Sequence, residues 1–162
     1  MKKFLLSACL AGENVRYDGG NTRIECETFR KLVESGLAVL VCPEVDAGLS
    51  APRRPCEIRG EGGGGSVLDG KGEVIDDEGR NLTEQFVKGA YMSLEKALEN
   101  GCRVALLKHR SPSCGSTLIY DGSFSGKKIE GKGVAGELLA RNGIRLFSEE
   151  TLEEAIKYIE EE

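Results

Sequence analysis

"FLLSAC" (residues 4–9) is a short apolar run that ends on a cysteine, and this pattern recurs along the chain. "LAVLVCPE" (37–44) repeats it, and "RVALLKHRSPSC" (103–114) opens with a third apolar run. Each run has the length and the leucine or β-branched content of a strand buried on both faces. "GIRLFS" (143–148) predicts a fourth strand. The four runs indicate a mainly parallel sheet.

Helical patterns separate these strands. The helices are expected over residues 23–35, 83–100, 134–142 and 149–160. Gly36, Gly101 and Gly143 follow three of them, where a left-handed C-cap favours glycine. Thr83 and Ser148 are suitable N-caps. The alternation of strand and helix predicts an α/β fold, a parallel sheet with flanking helices.

The chain length of 162 residues fits one domain, so residues 1–162 are predicted to form a single α/β domain. Residues 49–81 are expected to be a loop and hairpin excursion within it, either a surface feature or a lid beside a pocket. Alternating runs about "GKGE" (70–73) predict the hairpin. "GEGGGG" (60–65) is not a phosphate loop, because no Lys-Ser/Thr ending and no helix are expected after it.

The first nine residues also resemble a bacterial lipoprotein signal, in which the cysteine is lipidated. Only five residues separate Lys3 from Cys9, whereas a secretory signal needs an apolar region of about 7 to 15. No other run approaches the roughly 20 apolar residues of a membrane span. We therefore expect a soluble, cytoplasmic protein with no membrane partner.

Charge and cysteine content narrow the possible functions. The net charge of −5 and the acidic C-terminal stretch argue against a nucleic-acid polymer as partner. The six cysteines do not indicate a disulfide framework, since a chain of this length needs none and cytoplasmic thiols stay reduced. The cysteines need another explanation.

Three of the cysteines are expected to meet. Cys9 and Cys42 end the first two predicted strands, and Cys114 lies a few residues past the third. The carboxyl ends of parallel strands meet at one edge of a sheet, where ligands bind at a switch in strand order. Three thiolates there could hold Zn²⁺ with an open position, or three irons of a [4Fe-4S] cluster with the fourth iron open.

The remaining cysteines have a different context. Cys26 is predicted to lie inside a helix and Cys102 to follow a helix C-cap, so both are expected to be structural. Cys56, in the loop "PRRPCEI", is the reserve candidate for the site.

The cysteine motifs and their neighbours carry a resemblance to a known family. The stretches are "SACLAGENVRYDGGN", "VCPEVDAGLSAPRRPCEI", "NLTEQFVKGA", "LLKHRSPSCGS" and "IYDGSFSGKKIEGKGVAGELLARNGI". Together they resemble the domain-of-unknown-function 523 family, which includes bacterial 2-thiouracil desulfidase. The resemblance covers nearly the whole chain.

The resemblance implies an iron-sulfur enzyme that removes sulfur from a thiolated pyrimidine without a redox partner. The residues that match the cluster ligands are Cys9, Cys42 and Cys114, and Glu44 and Ser111 match an acid/base pair near the open iron. Other interpretations are a helix N-terminal or ion-paired carboxylate for Glu44 and a turn residue for Ser111. The implied partner is a small thiolated substrate.

Two other functions stay open from the residues alone. One is a non-catalytic cysteine-cluster protein that binds iron, zinc or sulfide. The other is a cofactor-free hydrolase with a cysteine nucleophile, for which His109 is the single histidine available. His109 is interpreted as a loop residue or a proton relay. Five charged residues are expected either to line the pocket or only to be solvated at the surface, and the sequence does not decide between these alternatives. They are Lys108, Arg110, Arg59, Arg16 and Asp18.

Overall fold

A four-stranded parallel sheet forms the centre of the computed structural model, which describes residues 2–161. The strands in chain order are β1 (Phe4–Ser7), β2 (Ala38–Val41), β3 (Cys56–Arg59), β4 (Glu73–Asp76), β5 (Val104–Leu107), β6 (Leu118–Tyr120), β7 (Lys128–Glu130) and β8 (Arg145–Ser148). The central sheet has the order β2–β1–β5–β8, and its three pairings are parallel. The predicted α/β fold with a mainly parallel sheet is confirmed.

Strand order reverses beside β1. The chain passes from β1 to β2 on one side and later enters the sheet again at β5 on the other side. In an open α/β sheet such a reversal leaves a crevice beyond the carboxyl ends of the strands. The segments that follow β1, β2 and β5 therefore border one crevice.

The helices bear out most of the predicted pattern. Within the described residues they are α1 (Glu27–Glu34), α2 (Pro43–Asp46), α3 (Gly63–Leu68), α4 (Thr83–Glu99), α5 (Val134–Arg141) and α6 (Leu152–Glu161). The predicted C-cap glycines, Gly36, Gly101 and Gly143, have φ of 83°, 66° and 79°. Ser148 caps the 3-10 turn that leads into α6, where its hydroxyl accepts from the Glu150 N–H. Thr83 is the first residue of α4 and not its cap.

Helix α1 is shorter than predicted, and Cys26 is its N-cap rather than an interior residue. The preceding segment is extended because it pairs with the loop that follows β1. The Thr22 N–H donates to the Cys9 carbonyl, and the Ile24 N–H donates to the Leu10 carbonyl, each at 3.0 Å. Because these hydrogen bonds engage backbone N–H groups near the predicted helix start, the segment stays extended and the helix begins only at Glu27.

Residues 49–81 contain an antiparallel pair, but the prediction of a hairpin about Gly70–Glu73 was wrong. Strand β4 pairs with β3, and the segment expected to be its partner forms α3. The glycine run opens this helix, contrary to the expectation that none follows it. A Cβ on Gly64 would collide with the Gly133 carbonyl, so glycine permits a close approach of α3 to α5 that the local sequence does not reveal.

Alternate side chains of the central strands enter two apolar cores. In β1, Leu5 belongs to the core that includes residues of α4 and α5, whereas Phe4 and Leu6 belong to the core that includes residues of α1 and α6. All four positions of β1 are buried, as expected for a strand covered on both faces. Within residues 2–161, no helix combines the length and the apolar content needed to cross a membrane.

Candidate active site

A cavity of about 380 Å³ opens beyond the carboxyl ends of β1, β2 and β5. Its lining residues include two groups. The sheet-edge wall consists of Cys9, Cys42, Glu44, Ser111, Ser113 and Cys114. The outer wall consists of Arg53, Cys56, Glu57, Tyr120 and Phe124. All five residues that the sequence singled out for the cluster and for acid/base chemistry line the same cavity.

The three thiols of the sheet-edge wall come from three separate segments. Cys9 lies in the 3-10 turn that follows β1, Cys42 is the N-cap of α2, and Cys114 follows β5. Cys9 and Cys114 are buried, and Cys42 is half-buried. Among residues 2–161, no three His, Cys, Asp or Glu side chains are grouped so as to hold one metal ion.

Burial raises the pKa of each of these thiols. For Cys114 a hydrogen bond with Ser7 opposes the rise, and charge on Cys42 and Cys9 adds to it. An apolar environment that disfavours one thiolate disfavours three neighbouring thiolates still more. A metal group that supplies positive charge would reverse this preference.

Glu44 lies in the first turn of α2 and is 8% exposed. Arg53 Nε donates to its Oε1 at 3.0 Å, and Ser113 Oγ donates to its Oε2 at 2.8 Å. Arg53 Nη1 also donates to the Val15 and Ser50 carbonyls. Glu44 is ion-paired, as one interpretation of the sequence expected, and its partner is Arg53. This ion pair fixes the carboxylate at the cavity wall.

Ser111 does not contact Glu44 directly, because Ser113 lies between them. Ser111 Oγ accepts from the N–H groups of Ser113 and Cys114 at 3.1 and 3.0 Å, and it lies 3.1 Å from Ser113 Oγ. A serine hydroxyl has two lone pairs and one proton. Since both lone pairs of Ser111 are occupied, its proton points to Ser113, and the Ser113 proton points to Glu44.

The loop that carries Ser111 and Cys114 is bound to the start of α5. The Gly133 N–H donates to the Gly115 carbonyl and the Val134 N–H to the Pro112 carbonyl, each at 2.8 Å. A Cβ on Gly133 would lie 2.5 Å from the Ser113 carbonyl carbon. Glycine is thus required at this position, and the loop is held by backbone bonds on a helix end.

His109 lies at the cavity but faces acidic side chains. Its Nδ1 is 2.8 Å from Glu149 and its Nε2 is 3.2 Å from Glu150, and Lys108 Nζ is 2.9 Å from Glu149. Burial acts to raise the pKa of Glu149, but hydrogen bonds from Lys108 and His109 more than offset it, and the pKa is lowered. These contacts engage both ring nitrogens of His109 in an ion network instead of pairing them with a thiol.

The other charged residues divide between the cavity and the surface. Arg16, Lys108 and Arg110 line the cavity. Arg59 is exposed and pairs with Glu73 at 2.6 Å. Asp18 is exposed and lies 3.9 Å from Arg16.

The remaining cysteines also have distinct positions. Cys56 lines the cavity from the outer wall, and burial raises its pKa to about 12. Cys26 packs against the core that includes α1. Cys102 is buried in the core that includes α4.

Sequence reasoning missed several residues of the cavity. Arg53 and Ser113 hold Glu44, and Glu57 and Phe124 belong to the outer wall. The one available signal was the second serine of "SPSCG", which lies beside a predicted ligand. Nothing local distinguishes Arg53, which is 10% exposed, from its neighbour Arg54, which is 48% exposed.

Comparisons with known proteins identify the relatives of this chain. The family described as 2-thiouracil desulfurase matches residues 4–151. YbbK of Bacillus subtilis (strain 168), described as uncharacterized, is 43% identical over 152 residues, which are 94% of this chain and 99% of YbbK. The solved structure of the [4Fe-4S]-dependent thiouracil desulfidase TudS is 40% identical, with a TM-score of 0.89 over 99% of both chains.

The resemblance that the motifs indicated is therefore confirmed by a match over most of the sequence and by a shared fold. This chain belongs to the 2-thiouracil desulfurase family.

Proposed function

We propose that this protein is an iron-sulfur enzyme that removes sulfur from a small thiolated heterocycle of the 2-thiouracil type. The observation that carries the proposal is one wall that brings together three thiols, a carboxylate and a serine hydroxyl. TudS, a [4Fe-4S]-dependent thiouracil desulfidase by name, shares the fold at 40% identity. The reaction is a hydrolysis: the carbon–sulfur double bond is replaced by a carbon–oxygen double bond whose oxygen comes from water, and the sulfur leaves as hydrogen sulfide without electron exchange.

Cys9, Cys42 and Cys114 are the proposed ligands of a [4Fe-4S] cluster whose fourth iron has no protein ligand. The donor set fits such a group, because soft thiols on three separate segments can each supply a thiolate to a different iron. When bound, the cluster supplies an open iron that takes a soft thiocarbonyl sulfur and makes the adjacent carbon more electrophilic.

Glu44 is the proposed acceptor of the proton that the attacking water gives up, because its carboxylate lines the cavity. The water proton passes to a carboxylate oxygen of Glu44, which Arg53 and Ser113 hold in place. Ser111 is the proposed partner that positions this carboxylate, since its hydroxyl contacts Ser113 and Ser113 donates to Glu44. The reverse transfer returns the proton to the leaving sulfur.

The size of the cavity supports a small substrate. Its volume of about 380 Å³ is near the lower end of ordinary small-molecule sites. We also propose a cytoplasmic location, which the six free cysteines support, because thiols stay reduced in that compartment.

The test is anaerobic reconstitution with iron and sulfide, followed by incubation with 2-thiouracil. We expect a brown protein with broad visible absorbance and the release of equal amounts of sulfide and uracil. A brown protein that releases no sulfide from any thiolated heterocycle tried would favour a cysteine-cluster carrier. A colourless protein that is active without iron would instead favour a hydrolase with a cysteine nucleophile.

A further inference from the structure

Two residues that line the cavity have a backbone conformation that bulky residues rarely adopt. Within residues 2–161, the non-glycine residues with positive φ are Arg110 at 63° and Phe124 at 56°, and both line the cavity. For a bulky residue this left-handed conformation is a true outlier that costs energy. Such residues persist only where the surrounding structure enforces them, and they cluster at binding sites.

The enforcing contacts for Phe124 come from the outer wall. Glu57 Oε1 accepts from the Gly122 N–H at 3.0 Å and from the Phe124 N–H at 3.2 Å. A Cβ on Gly122 would lie 2.7 Å from the Ile58 carbonyl, so the loop between β6 and β7 rests directly on β3. One carboxylate from a different sheet thus fixes the backbone that presents Phe124.

Phe124 is half-buried although it lies outside both apolar cores. It shares the cavity lining with Tyr17 and Tyr120, so the cavity presents aromatic rings as well as the thiols and the carboxylate of the sheet-edge wall. A planar heterocycle with its reacting carbon toward the sheet-edge wall would have one face free for an aromatic ring.

We propose that Phe124 is a substrate-binding residue whose ring stacks on the planar face of the thiolated heterocycle, with Glu57 as the residue that positions it. The inference rests on the proposed function, since it assigns the substrate side of the same cavity. Stacking of a base on an aromatic ring is tolerant of ring substituents and contributes substantially to binding. Phe124 therefore selects flat, unsaturated rings over aliphatic thioamides.

The experiment is a calorimetric titration of the cluster-loaded protein with 2-thiouracil, together with sulfide-release kinetics. We expect Phe124→Leu to raise the Kd and the KM about tenfold with kcat little changed. Phe124→Tyr, which keeps an aromatic ring, should have the Kd and the KM of the parent. Tyr91→Leu, on an exposed aromatic residue of α4, is the matched control and should leave both constants unchanged.

Phe124→Gly separates binding from folding. Glycine adopts positive φ freely, so this variant should keep the melting temperature of the parent while binding as weakly as Phe124→Leu. A large fall in its melting temperature with an unchanged Kd would show that the ring only packs the loop, and would overturn the inference.

The inference and the proposed function can fail separately. Unchanged binding by Phe124→Leu in a protein that releases sulfide overturns the inference alone. A parent that binds 2-thiouracil through Phe124 but releases no sulfide overturns the proposed function alone. A parent that binds no planar heterocycle overturns the inference.

Discussion

The two walls of the cavity are fixed in different ways. The sheet-edge wall follows the ends of strands that are paired in one parallel sheet and buried in two cores. The outer wall comes from two short antiparallel pairs, β3–β4 and β6–β7, and side chains such as Glu57 tie its loops together. The contrast indicates that the proposed reacting groups follow the ends of paired, buried strands, while the proposed substrate-facing groups lie on loops that side-chain contacts hold in place.

The largest effect is expected from removing a thiol of the sheet-edge wall. Cys114→Ser should bring iron content after anaerobic reconstitution, and sulfide release with it, close to background, because serine is a poor ligand for the irons of such a cluster. Cys9→Ser and Cys42→Ser should behave alike. Iron analysis with visible absorbance is the measurement.

The control for the cysteine series is Cys26→Ser, which changes a thiol away from the cavity and should keep the iron of the parent. Loss of iron from Cys56→Ser, together with retention by one of the three variants, would mean that the outer wall supplies a ligand. In that case the division between the two walls would be wrong.

Arg53 joins the walls, because it lies on the outer wall and binds Glu44 on the sheet-edge wall. Arg53→Met should lower the free energy of unfolding by about 3 kcal/mol, since it leaves a buried carboxylate without its cation. Arg54→Met, which breaks an exposed pair with Asp77, should cost less than about 1 kcal/mol. Urea unfolding of the metal-free protein measures both, and equal losses would contradict the buried pair.

Glu44→Gln tests the chemistry of the sheet-edge wall without changing its shape. We expect the cluster and the affinity for 2-thiouracil to be retained, while kcat falls about 10²-fold, the usual contribution of a positioned proton carrier. Ser113→Ala, which removes the hydroxyl that donates to Glu44, should lower kcat less, because a water molecule can partly replace the hydroxyl. Glu160→Gln, at an exposed position of α6, is the control. Unchanged turnover by Glu44→Gln would remove this carboxylate from the mechanism.

The smallest effect is expected at the ion network beside the cavity. Because the pKa of Glu149 is lowered in the folded protein, its contribution to stability is present above its ordinary pKa and is lost as the pH falls through the folded value. Glu149→Gln should therefore lower the free energy of unfolding by about 1 kcal/mol at pH 7.

The gap between Glu149→Gln and the parent should narrow as the pH falls below the ordinary pKa of a glutamate and through the lowered folded value, where the parent carboxylate becomes protonated. Urea unfolding curves at several pH values measure this gap. A gap of constant size would indicate that packing, rather than charge, is what Glu149 contributes. The exposed Glu154 provides the control substitution, Glu154→Gln.

The sequence predicted the sheet-edge wall better than the outer wall, and the reason is physical. Buried strands leave a local signal, since continuous apolar runs identify β1, β2 and β5, and parallel pairing places their ends together. Cys9, Cys42 and Cys114 could therefore be assigned to one edge before the fold was known. The contact of Ser113 with Glu44 was not predicted, because the conformation of the turn determines whether Ser111 or Ser113 faces Glu44.

The outer wall depends on contacts between distant segments. Strand β4 pairs with β3 rather than with residues 66–68, which fold as α3 because α3 packs closely on α5. Phe124 is positioned by Glu57, 67 residues away in the chain. Neither contact leaves a pattern in a short window of sequence, so the hairpin prediction was wrong and Phe124 was missed.

The backbone hydrogen bonds between the Cys114 loop and the start of α5 affect how the protein would respond to loss of its iron. The loop takes its shape from N–H groups and carbonyls of the chain itself, with Gly133 and Gly136 packed against it, so its shape needs no metal. We therefore expect damage by oxygen to strip the iron and leave the cavity folded. Repair would then require only iron, sulfide and a reductant, and the same polypeptide could be reloaded many times without passing through an unfolded state.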